Sequence, residues 1–394
     1  MYLILKINLK TFAFIIIFFS LLEPDYFSTI PFIHSYYVVM RVITLFIAII
    51  FFILKKRFPT ITFIIIIYFI VYGFSTYQND GNILDLLGYS TYIISFVAWS
   101  EIVLKYYTLK GLYSLNFVFS SLVYINIILY LLFPNGYTQS RTDSGNIINR
   151  YFLGVENQFA ATLIPAIMIN VIYNYTKYGR LKINSYILIA VVLFTFLYAS
   201  SATSIVGIFL IIFYLLFISR SNLKNIINNT NIIVSVVSLY LIIVVFNSLE
   251  IFSFVIEDVL KKDLTLSTRT LLWDRAFIYI KDSPLIGYGY LGGGKYLQVT
   301  STRSMDSHNT ILQFLLQHGV LGIGILFILL FIFFKNISKY EKNKINLFIL
   351  FSFFVTTTMM ISEVYSFTFI LIVIILGIFS PCIVKEQEKI LSKG

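Results

Sequence analysis

Three histidines and a few arginines stand out against the apolar background of this 394-residue chain. His308 lies in Asp306-Ser307-His308-Asn309, directly before an apolar run, so it sits at the N-terminus of a predicted helix over 308–334. That end of a helix carries about half a positive charge, which disfavours imidazolium. A neutral imidazole there can serve as a general base. Equally, His308 can do no more than cap the helix. His318 lies about 15 Å further along the same helix, at about 1.5 Å per residue, and reads as a packed or cavity residue. His34, near the end of a predicted span, reads as interfacial.

Arg269, Arg150 and Arg141 are candidates for gripping an anion, because the planar guanidinium fork matches the oxygens of a diphosphate. Arg150 shortly precedes Gly154-Val155-Glu156-Asn157, where another helix is predicted to begin. Two basic loops thus lead into two positive helix ends, a sound arrangement for an anion. The ordinary alternative for each arginine is solvation or contact with lipid headgroups. Arg41 differs, because it lies within a predicted span, where charge is costly and marks a functional site by default. It either lines a cavity or pairs with a carboxylate. Asn309 and Arg303, close to His308 in sequence, complete the substrate-binding candidates. Glu23, Asp25 and Glu363 have weaker claims as bases; helix-end capping is the simpler reading of the first two. No His/Cys/Asp/Glu cluster has metal-ligand spacing, and no Walker loop, GxSxG or Asp-x-Asp motif is present. No metal and no cofactor is therefore expected. Cys382 is the single cysteine, which excludes an internal disulfide.

The elements that must position these residues are spans. Hydrophobic residues make up 59% of the chain and charged ones only 12%, about half the usual share of a soluble domain. The apolar residues form continuous runs rather than alternating ones, so lipid is the solvent and helices are the elements. Helices are predicted at 8–22, 32–54, 58–77, 83–104, 112–133, 157–176, 183–199, 202–219, 231–248, 308–334, 345–361 and 367–384. The expected fold is an all-α polytopic transmembrane bundle of about twelve spans, a single integral membrane domain over 1–394.

Charge sets its orientation. The short loops alternate between basic ones, such as Lys55-Lys56-Arg57, 105–110, 177–182, 220–224 and 335–344, and ones with no Lys or Arg, namely 23–31, 78–82, 200–201 and 362–366. Lysine and arginine in short loops mark the cytoplasmic side. Both termini are then cytoplasmic and the chain is expected in the cytoplasmic membrane. The net charge of +11 mostly faces anionic headgroups, which argues against nucleic acid as a partner and for membrane lipid. Apart from Arg41 and the lysines of the two termini, the remaining basic residues fall in two outer loops, 134–156 and 249–307.

The longer loop is not formless. Ser267-Thr268 can cap a short helix starting near Arg269, with Leu272, Trp273, Ala276, Phe277 and Ile280 on one face and Pro284 as its stop. Its ordinary reading is an amphipathic helix on the membrane surface. A glycine-rich stretch from Gly287 to Gly294 follows, of a kind that lets backbone approach a ligand closely.

These segments carry a resemblance. Arg269-Thr270-Leu271-Leu272-Trp273, then Pro284-Leu285-Ile286-Gly287-Tyr288-Gly289-Tyr290, then His308-Asn309-Thr310 and Gly319-Val320-Leu321-Gly322 resemble, in that order, the O-antigen ligase and polysaccharide polymerase family. The resemblance covers about 150–175 and 265–325; elsewhere only topology is similar. It implies a metal-independent glycosyltransferase acting on undecaprenyl-diphosphate-linked oligosaccharide, as donor and acceptor, at the outer face of the cytoplasmic membrane. It further implies that Arg269 holds the diphosphate and that His308 activates or positions the acceptor hydroxyl. Arg150 or Arg141 would be a second diphosphate contact. A repeat-unit polymerase, working beside a flippase and a chain-length regulator, is the reading preferred here. A ligase that transfers glycan to lipid A core is the alternative within the family. A lipid-oligosaccharide flippase is the alternative outside it, but the long loop has no counterpart in the first half, as a two-repeat transporter would require.

Overall fold

In hydrocarbon a backbone amide finds no partner outside its own chain, so each apolar run closes into a helix. The computed structural model describes residues 8–141, 147–246, 269–291 and 306–392. The helices are α1 (Leu9–Leu21), α2 (Asp25–Ser28), α3 (Pro31–Leu54), α4 (Thr60–Gln78), α5 (Ile83–Tyr106), α6 (Thr108–Leu132), α7 (Ala160–Tyr178), α8 (Ile183–Tyr198) and α9 (Ala202–Leu216). They continue with α10 (Asn229–Tyr240), α11 (Arg269–Asp282), α12 (Thr310–Ile337), α13 (Lys344–Met360), α14 (Phe367–Ile378) and α15 (Ser380–Leu391). The protein is an all-α polytopic bundle. Each predicted apolar run falls on helix: that over 231–248 is α10 continued by a π-helical turn at Leu241–Val245, and that over 367–384 falls on the bent pair α14–α15.

Seven of these helices are long and apolar enough to cross a membrane, and the pair α14–α15, bent by 55°, makes an eighth if counted as one span. Four further apolar helices, Leu9–Leu21, Ile183–Tyr198, Asn229–Val245 and Lys344–Met360, are shorter, so the described residues supply seven or eight candidate spans against the twelve expected. The one sheet among the described residues was not anticipated. It is a hairpin in the 134–156 loop, with β1 (Thr138–Arg141) antiparallel to β2 (Ile147–Arg150).

Burial separates inner from outer helices. Residues of α7 are buried almost without interruption from Leu163 to Thr176, and all of α14 is buried. A helix apolar all round and buried all round belongs at the centre of a bundle. By contrast α3 exposes Val39, Val42, Phe46 and Ile53, a lipid-facing surface.

The loops sort into two ends. At one end the Tyr26 amide donates to Phe152 O (3.2 Å), the Asn82 amide to Tyr290 O (3.1 Å), and Thr203 Oγ1 meets Ser362 Oγ (3.2 Å). At the other, Gln387 Nε2 donates to Tyr175 O (2.8 Å), and Asn229 Nδ2 to Ser338 Oγ (2.7 Å). The first set are the loops expected outside, and the second are those expected in the cytoplasm.

The glycine motifs prove to be a packing device rather than a ligand cradle. Helix α12 is broken at Gly319 (φ 58°, ψ −167°). The 284–290 segment inserts its backbone into that break. Tyr288 N donates to Leu316 O (2.7 Å) and Gly289 N to Gln317 O (3.0 Å), while Val320 N donates to Pro284 O (2.9 Å) and Leu321 N to Leu285 O (3.0 Å). The groups that a broken helix would leave bare in lipid are thereby satisfied. Both Gly287 (φ 65°) and Gly319 require left-handed backbone. A side chain at Gly287 would meet Leu316 O at 2.5 Å, and one at Gly319 would meet Leu285 C at 2.4 Å. Gly292 to Gly294 lie outside the described residues.

Candidate active site

The site is built where the start of α12 meets the turn between α13 and α14. Asn309 caps α12, accepting from Ile311 N and Leu312 N at 3.0 Å each, and its Nδ2 donates to Ile361 O at 2.9 Å. Thr310 Oγ1 donates to Glu363 O (2.6 Å) and accepts from Tyr365 N (3.0 Å). The 361–365 turn is thus stitched to the helix end. Helix α11 lies against α12, with Trp273 and Ala276 buried alongside Leu312, Leu316 and Ile361. It packs into the bundle, not merely onto a membrane surface. Its first residue is Arg269, which is thereby aimed at the same turn. Ser267 and Thr268, the proposed cap of this helix, lie outside the described residues.

Glu363 is the hub. Arg269 Nη2 donates to Glu363 Oε1 at 2.7 Å, and Arg269 Nη1 donates to Ser362 O. His308 Nδ1 lies 3.8 Å from Glu363 Oε2 and 3.7 Å from Asp306 Oδ1. At that range the contacts are ion pairs, not hydrogen bonds. The His308 side chain is 40% exposed whereas Glu363 is 12% exposed, so the histidine faces solvent with the carboxylate behind it. A carboxylate beside Nδ1 favours the proton there and leaves the Nε2 lone pair available.

The electrostatics differ from those expected of a helix end alone. The Glu363 carboxylate raises the His308 pKa most; burial lowers it, Asp306 raises it further, and Arg269 opposes them, with a net upward shift. The nearby carboxylates thus favour the imidazolium that the helix end alone would disfavour. Burial works against charge on Glu363, yet His308 and Arg269 together hold its carboxyl below the usual range. His308 does not cap the helix, since Asn309 does. It takes left-handed backbone, φ 46°, rare for a residue with a side chain. Its amide is held by Asp306 Oδ1 at 2.8 Å, and Ser307 Oγ donates to Asn309 O at 2.8 Å. Strain of this kind gathers at functional sites.

The other candidates are placed differently. Asn309, expected to bind substrate, is fully buried and spent on capping and on Ile361 O, so its role is structural. Arg150 pairs with Asp25 at 3.8 Å, and among the described residues no contact joins it to Arg269 or His308. The backbone of Arg141 ends β1, paired with Ile147, while its side chain lies outside the described residues, as does all of Arg303. Arg41 both pairs and lines a cavity: its Nη2 donates to Glu23 Oε2 (2.7 Å), and its guanidinium lies 5.0 Å from the Tyr92 ring centre. Glu23 also meets His34 Nδ1 at 3.0 Å, so it does not act as a helix cap. His318 is buried and structural, with Nε2 2.6 Å from the Tyr68 hydroxyl and Nδ1 3.0 Å from Phe314 O. Sequence reasoning undervalued Glu363. Its one signal was a carboxylate in a short loop otherwise without charge, 94 residues from the arginine it meets.

Residues 186–328 match the family model described as O-antigen ligase. The matched region contains Arg269, His308, the 284–290 segment and the break at Gly319. The match supports the family resemblance read from these motifs, and with it a glycosyltransferase-like role in polysaccharide biosynthesis. Arg41, Arg150 and Glu363 lie outside it. No curated protein and no solved structure matches the chain.

Proposed function

We propose that this chain, with its O-antigen ligase-family domain, polymerises undecaprenyl-diphosphate-linked oligosaccharide repeat units into a surface polysaccharide at the outer face of the cytoplasmic membrane. The observation that carries the reading is the Arg269–Glu363–His308 constellation at the end of the bundle expected to face outward. His308 Nε2 accepts the proton of an acceptor hydroxyl. The hydroxyl oxygen bonds to the anomeric carbon of the donor glycan. The bond from that carbon to the diphosphate oxygen breaks, and undecaprenyl diphosphate leaves with the electron pair. Arg269 lies beside the developing negative charge, where a fixed cation is most effective. To reach the diphosphate it shares the N–H groups it now gives to Glu363 and Ser362 O, and Glu363 keeps His308 oriented. The lipid tail enters sideways from the bilayer, which accounts for mounting the site on helix ends.

Deletion of the protein is expected to leave single repeat units, and no long glycan, at the cell surface. Retention of long polymer still attached to undecaprenyl diphosphate would instead identify a ligase, the second reading, which the description of the matched family favours. Repeat units trapped on the cytoplasmic side would refute both.

A further inference from the structure

A second polar feature at the same end of the bundle has no part in the constellation above. It is a cavity of about 330 Å³ bounded by the turn after α1, by α2, α3, α5, α6 and the start of α7, and by the 364–366 turn leading into α14. Its polar lining includes Glu23, Asp25, Arg41, Tyr92, Gln158 and Thr162. Phe119 and Ile372 supply apolar wall. The volume falls at the low end of small-ligand pockets, about 300–1,000 Å³.

Charge decides what the cavity takes. Arg41 is already spent on Glu23, with the Tyr92 ring beside it. Among the described residues Asp25 has only a loose partner, Arg150 at 3.8 Å. Two carboxylates and no unengaged arginine make a poor seat for a diphosphate, whose charge they repel. They make a good seat for a neutral ligand rich in hydroxyls. Glu23 and Asp25 accept, the Arg41 Nε–H is a buried donor with no hydrogen-bond partner among the described residues, and the Gln158 amide and Thr162 hydroxyl do both. One wall, Val364 to Ser366, continues directly from Glu363, the residue behind His308.

We propose that this cavity is a saccharide subsite that seats the acceptor sugar beside His308. The proposal rests on the glycosyltransferase reading above and adds a separate binding site to it. Diphosphate recognition and sugar recognition then lie on different elements, and the sugar side draws on Asp25, Arg41 and Gln158, outside the 186–328 family region.

The test is binding of repeat-unit oligosaccharide, prepared by partial depolymerisation of the host's surface polysaccharide, to the full-length protein in nanodiscs. Saturation-transfer NMR and titration would report it. Asp25→Asn and Gln158→Ala alter partly or fully exposed side chains and are expected to fold as wild type, checked by thermal unfolding. Each is expected to weaken binding at least tenfold, whereas Lys342→Ala, on an exposed loop at the other end of the bundle, binds like wild type. Equal binding by all variants, or no binding by the wild type, would overturn the subsite. The two readings fail separately. If cavity variants lose binding but the deletion strain keeps full-length polymer, the polymerase reading falls and the subsite stands. If deletion leaves single repeats but cavity variants bind normally, the reverse holds.

Discussion

At the scale of single residues the protein turns on His308 and the carboxylate behind it. The left-handed backbone at His308 is one that asparagine tolerates better than most residues. His308→Asn is therefore expected to fold normally while losing at least about 100-fold in polymerisation, the usual weight of a general base. Polymer length on gels, set against protein level in the membrane, checks this; normal polymer would remove His308 from the mechanism. The pH dependence follows from the direction of the shift. A base acts only when unprotonated, so kcat/KM should rise with pH through a value above the ordinary histidine range. Glu363→Gln removes the largest cause of the upward shift, and the rising limb should move to lower pH. A limb that stays in place would show that another group titrates. The same pair bears on stability. Because the folded His308 pKa is raised, its contribution is full below the ordinary histidine value and fades as pH rises through the raised one. Glu363 is shifted downward, and its contribution is lost only as pH falls through that lowered value.

Among the elements, α12 and the 284–290 segment act as one unit. The break at Gly319 is tolerated in the bundle because another stretch of backbone fills it, and that filling fixes where α11 ends. Gly319→Ala should therefore cost more than the roughly 1–2 kcal/mol of a left-handed non-glycine residue, because a Cβ would also meet the backbone of Leu285. Gly324→Ala, in the same helix but with nothing within 4 Å of the added atom, is the control and should be neutral. Melting temperature in detergent distinguishes them; equal melting would mean that the break is dispensable. These glycines were visible in the sequence as motifs, but their use was not. A glycine pattern looks the same whether ligand or backbone approaches it, and only the pairing of 284–289 with 316–321 tells which.

Over the whole molecule, the two ends of the bundle gather the two classes of loop that charge distinguishes. In a Cys382→Ser background, a cysteine at Thr29 or Gln139 should react with a membrane-impermeant thiol reagent in intact cells. One at Arg57 or Lys342 should react only after permeabilisation. All four positions are exposed, so access reports the side of the membrane and not burial. Labelling of Arg57→Cys in intact cells would invert the topology and move the proposed site to the cytoplasm.

What the sequence by itself determined were the properties that lipid and the translocation machinery read directly. Run length, apolarity and the placement of Lys and Arg are local, and they specified the helices and the division of the loops. The same locality made His308, Arg269 and the glycine motifs recognisable by order. Tertiary structure decided partnership. Glu363 acquires its role because Thr310 and Asn309 stitch a distant turn to the start of α12, and Asn309 loses its expected role by the same bonds. Arg41 and Asp25 share one cavity only because α2 packs on α3, which in turn packs against α1 and α5. Spacing along the chain carries no trace of such meetings, since pairs separated by many tens of residues are chosen by how helices pack.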